Sequence, residues 1–225
     1  MNKISKKNPA VVILLGKSGS GKGTQAELLK KKFGLDYIGS GDLLRGRMKE
    51  DDFTGKKVAK VMREGGLHPT AIIFKLWLDK VERIKRRGDF KGLIMDGNPR
   101  KLLEAYLIDG ALDWYEWNKN VKVFLVDISN KEAITRLTTR RICKDCKEIL
   151  PFIGEYKNMK ECPKCKGELI KRIDDTVSSA KNRLKWFKTD VQPVINYYRK
   201  TGRLIKINGE QSIEGVSRDI LKFVK

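Results

Sequence analysis

No apolar run in these 225 residues approaches the roughly 20 needed to cross a bilayer. The opening MNKISKKNPAVVILLG has a basic start and a short apolar stretch, but a glycine-rich segment follows where a secretory leader would have its cleavage site. A cytoplasmic protein is therefore expected. Acidic residues are also scarce: 28 Asp plus Glu against 49 Lys plus Arg leave a formal net charge of +21. Such a field attracts polyanions, which keeps a basic nucleic-acid-binding protein as a rival reading. A long basic arm is missing, however. The lysines are scattered over helix-like segments, as at Lys30 to Lys32 and at Lys56, Lys57 and Lys60, the pattern of solvated helix faces. There is one histidine, His68, there are four cysteines, and no internal repeat or low-complexity segment appears. What remains, 40% hydrophobic and 34% charged, is the composition of a soluble globular protein long enough to bury a real core, as one domain or as one domain carrying insertions.

Four short apolar runs have the length and β-branched content of buried parallel strands: Ala10 to Leu15, Leu93 to Met95, Val121 to Ile128 and Leu204 to Ile207, with a weaker fifth at Leu35 to Ile38. Helix-period segments lie between them, including Lys22 to Phe33, Thr70 to Arg87, Lys131 to Arg141 and Thr176 to Thr201. That alternation predicts an α/β fold with a parallel sheet covered on both faces, whose ligands gather at the carboxyl ends of the strands. Two regions break the pattern. Ser40 to Pro69 holds two short helical patterns with no strand between them, and Ile142 to Lys171 is dominated by Cys, Pro, Gly and Lys. Both read as inserts on one core.

Behind the first predicted strand stands GKSGSGKGTQ, Gly16 to Gln25. It meets the phosphate-loop template G-x-x-x-x-G-K-[ST] up to Lys22, then has Gly23 where a hydroxyl residue is expected, with Thr24 one place late. The physical requirements are met all the same. Glycines let the backbone curl so that successive N–H groups face phosphate oxygens, the next helix presents its positive end, and Lys22 adds a mobile charge. Asp96 ends a predicted strand just before a turn, where a carboxylate can hold magnesium through its waters.

Cys143-x-x-Cys146 and Cys162-x-x-Cys165 are separated by fifteen residues. Two such knuckles, each offering two thiolates from one tight turn, are the pattern of a tetrahedral zinc site; disulfides are the alternative. Four cysteine ligands leave no open position for substrate, so a zinc here would be structural and would fold an insert too small for its own core.

Taken in order, GKGTQ, SGDLLR at Ser40 to Arg45, DGNPR at Asp96 to Arg100, RRICKDC, RIDD at Arg172 to Asp175 and NRL at Asn182 to Leu184 make the chain resemble the adenylate kinase family from end to end. The resemblance implies a P-loop NTPase core (residues 1–39, 70–139 and 174–225), a helical monophosphate-binding insert (40–69) and a zinc-ribbon-like lid (140–173), as zinc-bearing lids occur in that family. It implies a monomeric enzyme transferring a phosphoryl group from Mg2+-ATP to AMP. Gly19, Ser20, Gly21, Lys22, Gly23 and Thr24 would hold the ATP phosphates, Arg136 would pack on the ATP base or reach its phosphates, and Gln211 marks a turn whose backbone touches that base. Arg45 and Arg100 would bind the acceptor phosphate, with Ser40 near the acceptor nucleoside. Gly66, Leu67 and His68 in the GGLHPT turn, with Gly97, Asn98 and Pro99, would line the acceptor pocket. Lys22, Arg100, Arg140, Arg172 and Arg183 would meet the transferring group, with Arg140 also binding ATP and Arg172 and Arg183 also binding the acceptor monophosphate. Asp174 and Asp175 would either hold the lid arginines or cap the following helix. Arginine suits these tasks because its planar fork binds phosphate oxygens in pairs and stays charged at any working pH.

Three departures from the family pattern bear on this. Asn98 replaces an aromatic residue in DG-F-PR, and Ile149 and Leu150 stand where glycine and an aromatic are usual in the lid. Glu104 replaces the glutamine whose amide both donates to and accepts from adenine. A carboxylate accepts from the adenine amino group but repels the neighbouring ring nitrogen, whereas guanine offers two donors there. AMP is the expected acceptor on the surrounding motifs, with GMP, CMP and UMP as alternatives. A P-loop ATPase would have no use for a monophosphate insert. A zinc-ribbon nucleic-acid binder would want aromatics among its cations, and the ribbon holds only Phe152 and Tyr156.

Overall fold

The computed structural model describes residues 10–151, 154–172 and 175–224. Its centre is a sheet of five parallel strands: β1 (Ala10–Leu15), β2 (Asp36–Gly39), β3 (Gly92–Asp96), β4 (Val121–Asp127) and, last in the chain, Leu204–Asn208. Between β4 and that last strand lie three short strands, β5 (Arg141–Cys143), β6 (Ile149–Leu150) and β7 (Leu169–Ile170), so it is β8. The spatial order of the large sheet is β2-β3-β1-β4-β8. β1 is thus flanked by β3 and β4, with the register Leu14↔Asp96 on one side and Leu15↔Leu125 on the other. A crevice opens at the carboxyl end of such a switch point, because the connections leave in opposite directions.

Strand periodicity decides the core. Val11, Ile13 and Leu15 face one hydrophobic cluster, Val12 and Leu14 the other. The first is covered by α4 (Thr70–Arg87) through Trp77, Val81 and Ile84, by α5 (Leu102–Trp114) through Ala105, Ile108 and Leu112, and by α8 (Gln192–Lys200) through Val194, Ile195 and Tyr198. The second is covered by α1 (Lys22–Phe33) through Ala26 and Leu29 and by α9 (Ile213–Leu221) through Val216 and Ile220. Trp77, Ile13, Leu14 and Ile94 are fully buried, and each such side chain contributes about 1.5–3 kcal/mol of transfer free energy.

Between β2 and α4 come α2 (Ser40–Arg47) and α3 (Phe53–Arg63), the latter capped by Asp52, whose carboxylate accepts the Gly55 N–H at 2.7 Å. Their own cluster is small: Leu44, Val58 and Ile73. After α6 (Asn130–Thr139) the chain forms the antiparallel sheet β6-β5-β7. The helix expected over Thr176 to Thr201 is divided into α7 (Val177–Trp186), a wide five-residue turn at Phe187–Val191, and α8. Pro193 lacks the N–H that the carbonyl four residues back would receive, which loosens a helix at this place, and the Thr189 hydroxyl donates to the Asp190 carboxylate at 2.6 Å. Asp174 and Phe152 lie outside the described residues.

Candidate active site

The β1–α1 loop is held open as a cradle by its own lysine. Lys22 Nζ donates to the carbonyls of Gly16 at 2.9 Å and Lys17 at 2.8 Å, and lies 3.3 Å from Ser20 Oγ. Gly16 is required here: its φ is +146°, and a Cβ would sit 2.4 Å from the Val126 carbonyl oxygen of β4. Burial lowers the Lys22 pKa to about 8, and the nearby charges of Arg100, Arg140 and Arg183 push it the same way, against the opposing pull of Asp96. A cation surrounded by cations, on a loop whose amides begin a helix, is a place prepared for polyanionic phosphate.

Asp96, at the carboxyl end of β3, accepts from the Tyr37 hydroxyl at 3.4 Å, and burial raises its carboxyl above the ordinary range. A desolvated hard-oxygen donor beside the phosphate loop fits a hydrated divalent cation. One turn further on, Arg100 is fixed from several sides: Nε donates to the Gly97 carbonyl at 2.7 Å, Nη2 to Ser40 Oγ at 3.1 Å, and the guanidinium lies 5.1 Å over the Trp186 ring. Ser40 Oγ in turn donates to the Gly97 carbonyl at 3.0 Å. Arg45, on α2, pairs with Asp42 at 2.5 Å. His68 is buried, its Nε2 3.3 Å from the Val58 carbonyl, and burial lowers its pKa below the ordinary imidazole value.

Glu104 stands apart from this group. It is 3% exposed, and its Oε2 accepts the Arg100 backbone N–H at 2.7 Å, with the Lys101 N–H beside it. Lys101 is the N-cap of α5, so Glu104 is the third helical residue, which reaches back to the free amides at the helix start. Its carboxyl is raised by burial and held down by those amides and by Arg100.

On the opposite wall, one carboxylate gathers three arginines. Asp175, whose side chain is 2% exposed, accepts from Arg140 Nε at 2.5 Å and Nη2 at 2.6 Å and from Arg183 Nη1 at 3.4 Å; Arg172 Nε is 4.0 Å away. The cap of α7 is Thr176, which accepts the Ser179 N–H at 3.1 Å. Of the two roles open to Asp175, the structure thus selects arginine holding. Arg136 bonds Glu132 at 2.6 Å and the Gly209 carbonyl at 3.0 Å. The Gln211 amide donates to the Asn208 carbonyl in its own turn at 3.0 Å and to Asp219 on α9 at 2.9 Å.

The four cysteine sulfurs lie within 4.8 Å of one another, with Cys143–Cys165 at 3.4 Å and Cys146–Cys162 at 3.6 Å, and no disulfide joins them. A tetrahedron of thiolates about 2.3 Å from zinc has edges of roughly 3.8 Å, so the donor set fits. The two knuckles are built alike. Cys143 N–H donates to the Glu148 carbonyl and Cys162 N–H to the Gly167 carbonyl, both at 2.9 Å, and Lys147 and Lys166 take left-handed φ of 62° and 64°.

These walls enclose one cleft of about 1250 Å³. Its lining brings together Gly19 to Thr24 of the loop, Ser40, Arg45, Gly66, His68, Asp96, Gly97, Arg100, Arg136, Arg140, Arg172, Arg183 and Gln211. Ile149 and Leu150 line it from the second insert. Leu67, Asn98, Pro99 and Glu104 are outside that lining. Tyr37, in β2, and Trp186 contribute to the site and escaped the sequence reading. Trp186 lies three residues after Arg183, hence on the same helix face, and that spacing was the available signal.

A family model for adenylate kinase matches residues 14–203. The chain belongs to the adenylate kinase family. The adenylate kinase of Chlamydia trachomatis serovar L2 is 36% identical over 225 residues, covering 96% of this chain and 90% of its own. That of Archaeoglobus fulgidus is 36% identical over 93% of this chain and 95% of its own, and that of Caldicellulosiruptor bescii 34% over 94% and 97%. The chain is therefore a phosphotransferase, a nucleoside monophosphate kinase with nucleotide substrates. Among the described residues no helix is long and apolar enough to cross a membrane.

Proposed function

We propose that the chain transfers the terminal phosphoryl group of magnesium-bound ATP to AMP, reversibly, giving two ADP. The observation that carries this reading is the single cleft in which Lys22 and the arginines at 45, 100, 136, 140, 172 and 183 face one another. One bound triphosphate would not need cations on both walls; a donor and an acceptor phosphate do. Phosphoryl transfer asks for positioning and charge neutralisation rather than a covalent intermediate.

Lys22 and the Gly19 to Thr24 amides would hold the donor phosphates. Arg45 and Arg100 would take the acceptor phosphate, with residues 40–69 closing over it, and Ser40, Gly66, His68 and Gly97 forming the acceptor wall. Arg140, Arg172 and Arg183, aligned on Asp175, would meet the transferring group as residues 140–173 fold down, and Arg136 with the Gln211 backbone would take the donor base. Asp96 would hold magnesium through water; when bound, that ion supplies charge neutralisation at the bridging phosphate oxygens. The four cysteines would hold a structural zinc that shapes the lid.

AMP is favoured over GMP by the placement of Glu104, whose carboxylate is committed to backbone amides and so does not present the acceptor pair that guanine would seek. The test is diphosphate formation from magnesium and ATP with AMP, GMP, CMP or UMP as acceptor. AMP should give the highest kcat/KM; a higher value for GMP overturns the assignment.

A further inference from the structure

The turn that ends α3 is fastened to α7 at three adjacent points. Trp186 Nε1 donates to the Gly65 carbonyl at 2.8 Å, Asn182 Nδ2 donates to the Glu64 carbonyl at 3.0 Å, and Gly65 packs so closely on Ser179 that a Cβ would fall 2.4 Å from its Oγ and 2.9 Å from its carbonyl oxygen. Ser179, Asn182 and Trp186 are spaced i, i+3 and i+7, so they form one stripe along α7. Gly65 has φ +68°, a conformation in which a side chain would be strained even without the contact. The first insert is therefore held down by a surface that only its backbone can meet.

The same tryptophan faces Arg100. Its ring lies 5.1 Å under the guanidinium, whose Nε and Nη2 are already spent on the Gly97 carbonyl and Ser40. One side chain thus touches both the lid of the acceptor pocket, through Gly65, and the arginine assigned to the acceptor phosphate. We propose that Trp186 is a positioning residue for the acceptor half-site: by donating to Gly65 while backing Arg100, it makes closure of the 40–69 insert and alignment of Arg100 a single event. The inference rests on the assignment of Arg100 and this insert to the acceptor. It extends that assignment by naming what couples them.

α7 also carries Arg183, which reaches Asp175 and through it Arg140 on the donor side. The Trp186 latch is one turn further along the same helix and serves the acceptor side, so the two nucleotides should respond differently to its loss. A merely structural tryptophan would lower stability and damage both half-sites together.

The experiment compares wild type with Trp186→Phe, which keeps the ring under Arg100 and removes the N–H, and with Asn182→Ala, an exposed substitution that removes the neighbouring bond. Wild type is first assayed with the four monophosphates, and whichever acceptor it uses best is then varied against fixed ATP, and ATP against fixed acceptor. A wild type that phosphorylates none of them overturns the function itself rather than the latch. Given an active wild type, loss of one hydrogen bond between neutral groups predicts an acceptor KM raised roughly five- to ten-fold in Trp186→Phe and about two- to five-fold in Asn182→Ala. The ATP KM should stay within twofold in both. Equal increases in both KM values, or an unchanged acceptor KM in either folded variant, overturns the proposal. Should Trp186→Phe fail to fold, Asn182→Ala decides alone by the same criterion.

Discussion

Replacing Asp175 by asparagine removes one negative charge from the centre of three arginines and turns an acceptor oxygen into a donor that faces donors. The carboxylate is 2% exposed, and the side chains it serves, Arg140, Arg172 and Arg183, are 16%, 11% and 12% exposed. Breaking a buried ion pair by removing one partner costs about 3–5 kcal/mol. These guanidiniums keep some solvent, which favours the lower end, about 3 kcal/mol. If the loss is expressed mainly as misplacement of arginines in the transition state, 1.36 kcal/mol per decade gives roughly a hundredfold fall in kcat. The assay is diphosphate formation at saturating ATP and acceptor, with Asp175→Glu as companion. The longer carboxylate keeps the charge and should recover more activity than the amide. A kcat for Asp175→Asn within threefold of wild type, in folded protein, would refute the view that this carboxylate organises the three arginines around it.

Other consequences can be measured directly. Purified without chelator, the protein should carry about one zinc per chain; a chelator with a thiol reagent should release it together with four reactive thiols, and diphosphate formation should fall at least tenfold as the lid loses its shape. Lys22, with its pKa lowered to about 8 in the nucleotide-free cleft, should bind a proton when phosphate arrives. Binding of ATP at pH 8.5 should therefore take up roughly three-quarters of a proton per chain, measured by calorimetry in buffers of different ionisation enthalpy, and Lys22→Met should abolish the uptake. The same depression makes the lysine a stability cost while it is charged in the folded state, and that cost is relieved as pH rises from about 8 towards the ordinary lysine value. Glu104→Gln keeps an oxygen for the Arg100 N–H and should leave the acceptor order unchanged; a reversal between AMP and GMP would show that the carboxylate reads the base after all.

The inner strands of the large sheet were legible because a strand buried on both faces needs an uninterrupted apolar run, and Ala10 to Leu15 or Val121 to Ile128 can be little else; the edge strands β2 and β8 are only partly buried and their runs are shorter than these. α5 was not singled out, since LLEAYLIDGALDW is apolar on nearly every side and shows no clear stripe; in the fold, Leu103, Tyr106 and Trp114 are exposed. The break between α7 and α8 was missed because a proline early in a helix is ordinary, and its missing N–H reads the same in sequence whether a helix begins there or a longer one widens. Glu104 was read by its place in a family motif as a base-reading group, although its position three residues after a helix N-cap signalled an amide partner. Asp175 left two roles open because capping and ion pairing ask for the same residue type. Only the convergence of residues 140, 172 and 183 decides between them, and spacing along the chain does not show it.

That convergence also explains why the cleft should close only around nucleotides. Without phosphate, Lys22 lies near Arg100, Arg140 and Arg183, and each of them adds to burial in lowering its proton affinity, against the pull of Asp96. Asp96 and Asp175 offset part of the repulsion among these cations, but each is already engaged, one beside Tyr37 and Lys22 and the other by Arg140 and Arg183. Bringing the two walls together over an empty cleft would concentrate cations with no counter-charge. Donor and acceptor phosphates reverse the sign of the interaction and convert the same residues into a clamp. With water then excluded, the attraction acts at a lower effective dielectric. An overall charge of +21 does not produce this by itself. What matters is that Lys22 and the arginines of the two walls stand around one space, supplied by the phosphate loop, α2, α7 and the short-stranded segment, which the chain visits at well-separated points.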